Sequence, residues 1–135
     1  MIVGIGTDLV DSRRVAGMLL CHEERAVRKL MTPTEVAFYR KRGAFALGFA
    51  KVFAAKEAVV KAIGTIITFS WHDIEIGHYD NGCPFVTIHG DVQAALMARI
   101  IGLVPRPDTN NVRTHISFAD EPPYVSAVCV IEYIA

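Results

Sequence analysis

Along residues 2 to 10 the side chains alternate, with Val3, Ile5, Thr7 and Leu9 on one face and Ile2, Gly4, Gly6 and Asp8 on the other. A period of two predicts a strand. Gly4 and Gly6 leave the second face bare, so another backbone can approach closely, and Asp8 is carried to the junction where packed elements meet. From Ser12 to Met31, Val15, Met18, Leu19, Val27 and Leu30 recur at helical spacing and predict one or two short helices from which Arg13, Arg14, Arg25, Arg28 and Lys29 project. Thr32-Pro33-Thr34-Glu35 has the form of a capping box with proline at the first helical position, so a helix starts at Pro33 and runs toward Arg42.

The longest helical signal runs from Ala44 to Ile63. Phe45, Phe49, Val52, Phe53, Val59, Val60 and Ile63 mark its apolar face, alanines fill the remainder, and Gly64 offers a stop. Asp73–Tyr79 and Phe85–His89 alternate around the turn signal Asp80-Asn81-Gly82 and predict a hairpin. Asp91 is placed to cap a further helix through Ile101, Val104–Asn111 is a loop, and Val112–Phe118 and Tyr124–Ile134 are two closing strands. The order predicts an α+β fold, an antiparallel sheet packed on a long central helix, as one domain over residues 1–135.

Composition narrows the class. Apolar residues make up 52% and the mean hydropathy is +0.33, enough for a core, while 21% charged residues supply a solvated surface, so disordered and low-complexity classes are excluded. Fourteen basic residues balance fourteen acidic ones, which argues against a nucleic-acid partner. Neutrality with this apolar content predicts self-association. Cys21, Cys83 and Cys129 are odd in number and form no Cys-x-x-Cys pair, as expected of reduced thiols in a cytoplasmic protein. The opening segment meets Asp8 before a signal-peptide core can form, and no apolar run reaches the ~18 residues of a membrane span, so neither secretion nor membrane insertion is expected.

Charge is scarce in the central helix. Lys56, Glu57 and Lys61 are the charges between Val52 and His72, set among alanines and β-branched residues. Glu57 and Lys61, four apart, have the spacing of a solvated ion pair worth ~0.3–0.5 kcal/mol. The alternative is a divalent cation with a phosphate ester, because Mg²⁺ takes one or two carboxylates plus phosphate oxygens and water while ammonium groups neutralise the remaining phosphate charge. Asp8 and Glu57 are then the carboxylates, and Lys56 and Lys61 the cations.

Two segments carry a resemblance. Gly4-Ile5-Gly6-Thr7-Asp8 with the acidic-then-basic Asp11-Ser12-Arg13-Arg14, and Phe53-Ala54-Ala55-Lys56-Glu57-Ala58 with Lys61-Ala62-Ile63-Gly64-Thr65, resemble the two signatures of the holo-acyl-carrier-protein synthase family, the small 4′-phosphopantetheinyl transferases. The likeness continues in residues 70–76 and in Asn81-Gly82-Cys83-Pro84. It implies Mg²⁺-dependent transfer of the 4′-phosphopantetheine arm of coenzyme A to a serine of an acyl carrier protein, as in fatty acid or polyketide biosynthesis, leaving adenosine 3′,5′-bisphosphate. It further implies Asp8 and Glu57 as metal ligands, catalysis by Asp8, Glu57 and Lys61, and Lys56, Lys61, Gly64 and Thr65 beside the coenzyme. A homotrimer with sites between neighbouring subunits is implied as well. Where the family pattern has Ser-x-Ser-His, this chain has His115-Ile116-Ser117-Phe118, which puts His115 in a coenzyme-contacting position; Val52 stands for an arginine and Ile66 for a glycine. Those departures keep two rivals in view, a diverged member that binds coenzyme A or carrier protein without efficient transfer, and a fold repurposed in secondary metabolism.

Carrier proteins are acidic around the receiving serine, so Arg14, Arg25 and Arg28, with Met18 one turn beyond Arg14, are the expected docking surface. His22, His72, His78 and His89 share no ligand spacing and are expected as surface or hairpin residues, Trp71 as core or interface, and Cys129 as packing.

Overall fold

The computed structural model describes residues 1–64 and 68–134. In chain order the elements are β1 (Ile2–Asp11), α1 (Ser12–Leu30), α2 (Pro33–Arg40), α3 (Phe45–Ile63), β2 (Ile74–His78), β3 (Pro84–Ile88), α4 (Gly90–Ile101), β4 (Val112–Glu121) and β5 (Tyr124–Tyr133). β5 runs between β1 and β4 in an antiparallel three-stranded sheet, and β2 and β3 form a separate hairpin. This is the α+β arrangement expected, with the antiparallel strands divided between two sheets.

α3 is buried on nearly every side. Val52, Ala54, Ala55, Lys56, Ala58 and Val59 are all 0% exposed. Small side chains let it lie flush on β1. A Cβ added to Gly4 would stand 1.8 Å from the carbonyl oxygen of Ala62, and one on Gly6 would stand 1.9 Å from that of Ala58. The bare face anticipated for β1 is therefore the face that α3 occupies. Val10, next along the face that carries Asp8, lies in the core. Val3 joins the core too, against the simple alternation, because the pairing of β1 with β5 shifts register between Ile2 and Gly4.

Local signals account for the helix ends. Thr32 and Glu35 make the reciprocal capping box, and Gly64, in the left-handed region at φ 72°, ends α3. α1 carries a break at His22, whose φ of −140° is not helical, in keeping with the one-or-two-helix expectation. Asp91 does not cap α4: the cap position falls on His89, held extended by its N–H donation to the Asp73 carbonyl, so Asp91 sits in the first turn. β4 runs on through Ala119 and Asp120 to Glu121, three residues beyond the expected end.

Candidate active site

A cleft of about 630 Å³ opens between β1, α1 and α3. Asp8 and Glu57 lie in it together; Phe49, Phe53 and Leu30 give it apolar walls, and Arg14 and Met18 stand on the α1 side. Asp8 arrives because it shares a face with Gly4 and Gly6, and Glu57 because α3 presses on that face.

Lys61 does not pair with Glu57 one turn away. Its ammonium donates to Asp8 Oδ1 at 2.8 Å and to the Thr7 carbonyl at 3.0 Å, which ties α3 to β1. That hydrogen bond raises the Lys61 pKa. Glu57 is left with the opposite problem. Burial first, and then the negative charge of Asp8, raise its pKa above the usual carboxylate range, with Lys61 pulling back. The Asp8 carboxylate, close enough to oppose a charge on Glu57, makes this a place for added positive charge. Among the described residues no cluster of three or more His, Cys, Asp or Glu side chains has metal-binding geometry. Two carboxylates completed by phosphate oxygens and water is the ligand set that suits Mg²⁺.

Lys56 requires a correction. It was expected at the phosphates, but its side chain is fully buried, and Nζ donates to the Leu30 carbonyl at 2.7 Å, Glu35 Oε2 at 2.9 Å and the Trp71 carbonyl at 3.0 Å. Three donations use all three ammonium hydrogens, leaving none for a ligand. Burial lowers its pKa and the Glu35 charge works against that shift. The helical position that precedes Glu57 points to the back of the cleft, not into it.

The remaining expected residues scatter. Gly64 closes α3 about two turns beyond Glu57, beside the Arg99 guanidinium, and does not line the cleft. Thr65 and Ile66 lie outside the described residues. His115 lies away from this chain's own cleft, on the sheet face opposite α3, with Nε2 3.1 Å from Glu132 Oε2. The register explains this, since Ile116 pairs with the buried Cys129 and turns its neighbour outward. Arg14 and Met18 share the cleft with Asp8, whereas Arg28 lines a second groove between α1 and α2 and pairs with Glu24, and Arg25 lies past the break at His22. Val52, at the position of the family's arginine, is fully buried in the core, and Phe118 packs on the core with its ring stacked toward His78.

Glu35 went unread as anything beyond a cap. Its signal was the lone buried lysine, which demands a counter-charge. Trp71 lines the cleft, and Phe49 and Phe53, read as core positions of α3, form its wall.

The model of the 4′-phosphopantetheinyl transferase superfamily matches residues 4–102. The holo-[acyl-carrier-protein] synthase of Paramagnetospirillum magneticum is 41% identical over 134 residues, covering 98% of this chain and 97% of that protein. The crystal structure of the holo-[acyl-carrier-protein] synthase from Neisseria meningitidis superimposes with a TM-score of 0.79 at 31% identity, over 98% of this chain and 99% of that one. That of Bacillus anthracis, in complex with CoA (3′,5′-ADP), gives a TM-score of 0.75 at 26% identity, over 99% of both chains.

Proposed function

The chain belongs to the 4′-phosphopantetheinyl transferase superfamily, and from that premise we propose that it acts as a holo-[acyl-carrier-protein] synthase. It moves the phosphopantetheine arm of coenzyme A to a serine of an acyl carrier protein. The serine oxygen forms a bond to the phosphorus that carries the arm, the serine proton is lost, and the pyrophosphate P–O bond breaks to release adenosine 3′,5′-bisphosphate.

The observation that carries this reading is the meeting of Asp8 and Glu57 in one cleft with the Lys61 ammonium on Asp8. Asp8 and Glu57 would hold Mg²⁺ on the pyrophosphate. Lewis-acid stabilisation of the charge growing on the leaving phosphate oxygen is what that ion supplies when bound. Lys61 holds Asp8 in orientation through its 2.8 Å hydrogen bond, and with its side chain 51% exposed it remains open to phosphate oxygens. Phe49, Phe53 and Leu30 wall the cleft against water and seat the arm. Arg14 and Met18, at the same cleft, receive the acidic carrier protein.

A homotrimer is part of the proposal. The sheet face opposite α3 presents Ile5 at 58%, Leu9 at 67% and Val128 at 37% exposure, a concentration of apolar surface that supports subunit contact. His115 lies on that face, so a neighbouring copy is the one whose cleft it can reach. Cys21, Cys83 and Cys129 are all free thiols, which supports a cytoplasmic location, and no helix among the described residues is long and apolar enough to cross a membrane.

The test is mass spectrometry of an acyl carrier protein incubated with the chain, coenzyme A and Mg²⁺. Addition of the phosphopantetheine arm, lost with a chelator and with Asp8→Asn, is the expected result. Failure of the folded protein to modify any carrier protein overturns the reading.

A further inference from the structure

We propose that Glu35 and Lys56 are a buried positioning pair for the transfer reaction, tying two walls of the cleft to the helix that presents Glu57; this rests on, and deepens, the function proposed above. Both side chains are 0% exposed. Two of the three acceptors of Lys56 are the carbonyls of Leu30 and Trp71, and both of those residues line the cleft that holds Asp8 and Glu57. Lys56 thus grips, from behind, the end of α1 and the turn at Trp71, while the next residue of α3 faces the reacting groups.

Glu35 carries the tie further. Its Oε2 accepts from the Thr32 N–H at 2.8 Å as well as from Lys56, and its Oε1 accepts from the Ile76 N–H at 2.7 Å. One carboxylate therefore joins α2, α3 and β2. The cap itself asks only for a Glu or Gln side chain. The full charge is needed for Lys56.

Stability alone is a poor account of the pair, because well-packed apolar residues of similar volume are often as good as a buried ion pair or better. What an apolar pair cannot supply is direction. Two hydrogen bonds from one nitrogen fix the Leu30 and Trp71 backbones relative to α3 while a third anchors that nitrogen on Glu35, and dispersion contacts among methyl groups fix no such direction. The substrate's arm runs between those walls, so their spacing sets how well it is held before and during reaction.

Trp71 is the one tryptophan of the chain and reports on its own wall. The experiment compares wild type, Glu35→Gln, the double variant Glu35→Gln/Lys56→Met, and Ile100→Ala, a control that opens the core at the fully buried Ile100 of α4. Each is assayed below its thermal midpoint for acrylamide quenching of Trp71 and for KM and kcat. The expected result in the double variant is faster quenching and a KM for coenzyme A raised about tenfold, with kcat changed less, since the walls hold ground and transition states alike. Glu35→Gln, which keeps shape and cap, shows the same changes in smaller measure and carries the test if the double variant does not fold. Quenching and KM at wild-type values in the Glu35 variants overturn the proposal, and so does an Ile100→Ala control that reproduces both changes. If wild type transfers no arm, the functional reading falls, while quenching still decides whether the pair holds the Trp71 wall.

Discussion

Replacing Gly6 with alanine adds a single methyl group and tests the architecture of the site. The new Cβ would lie 1.9 Å from the Ala58 carbonyl oxygen and 2.5 Å from the Ala62 nitrogen. Ordinary van der Waals contact begins at 3.4 Å, so the strand must withdraw from the helix by about 1.5 Å. Both opposing atoms are backbone and neither can swing aside. Overpacking of this kind costs about 1–3 kcal/mol, and a rigid neighbour puts Gly6→Ala at the upper end, with a Tm lower by roughly 10 °C. Activity suffers more than stability. Asp8 is two residues further along the same face of β1, so withdrawal carries its carboxylate away from Glu57, and an error of about 1 Å in a reacting constellation costs roughly a hundredfold in rate. Gly17→Ala is the matched control: it makes the same chemical change in α1, where nothing lies within 4 Å of the added atom, and relief of glycine in a helix stabilises by about 0.5–1 kcal/mol. Melting curves and carrier-protein modification rates on the two variants decide the matter. A Gly6→Ala protein as stable and as fast as wild type would refute the contact between β1 and α3 and the origin of the site built on it.

Glu57→Gln abolishes transfer yet melts no lower than wild type at neutral pH. Glu57 holds its proton more tightly folded than unfolded, so the fold loses stability as the pH rises through the raised pKa, and the amide's advantage seen at neutral pH disappears in acid, as melting curves across that range will show. The rate of transfer falls as acid protonates Glu57, beginning above the usual carboxylate range, and more Mg²⁺ shifts this limb to lower pH because the ion requires the ionised pair; rate–pH profiles at two Mg²⁺ concentrations check it. Arg14→Glu slows modification of the carrier protein more than Arg28→Glu does, because Arg14 lines the cleft and Arg28 is engaged by Glu24; equal effects would move the docking surface.

What was legible in the sequence followed short-range rules. Two glycines alternating with apolar residues called for a close neighbour without saying which, and Asp8 and Glu57 were brought together by the chemistry of a divalent cation and by the resemblance. Lys56 could not be placed in that way. Its acceptors are 15, 21 and 26 residues away, in three segments whose mutual packing no local pattern encodes. The direction of His115 was hidden for a related reason: alternation says that neighbours in β4 face opposite ways, and only the pairing of Ile116 with Cys129 says which way is inward. Val3 escaped because a register shift of one position is invisible in a chain that reads as regular alternation.

The central place of β5 also governs the order in which this molecule can be built. β1 is synthesised well before its sheet partner β5, with Asp11 opposite Tyr124 and Ile2 opposite Glu132. Until β5 leaves the ribosome, β1 has no hydrogen-bonded neighbour, and Asp8 has no sheet to hold it at the helix. Pairings over such separations close large loops before any contact rewards them, which slows folding relative to helical chains of equal size. A nascent chain with α1 to α4 complete therefore still lacks the cleft that Asp8 and Glu57 share, and that cleft forms in one late step, when β5 inserts between β1 and β4.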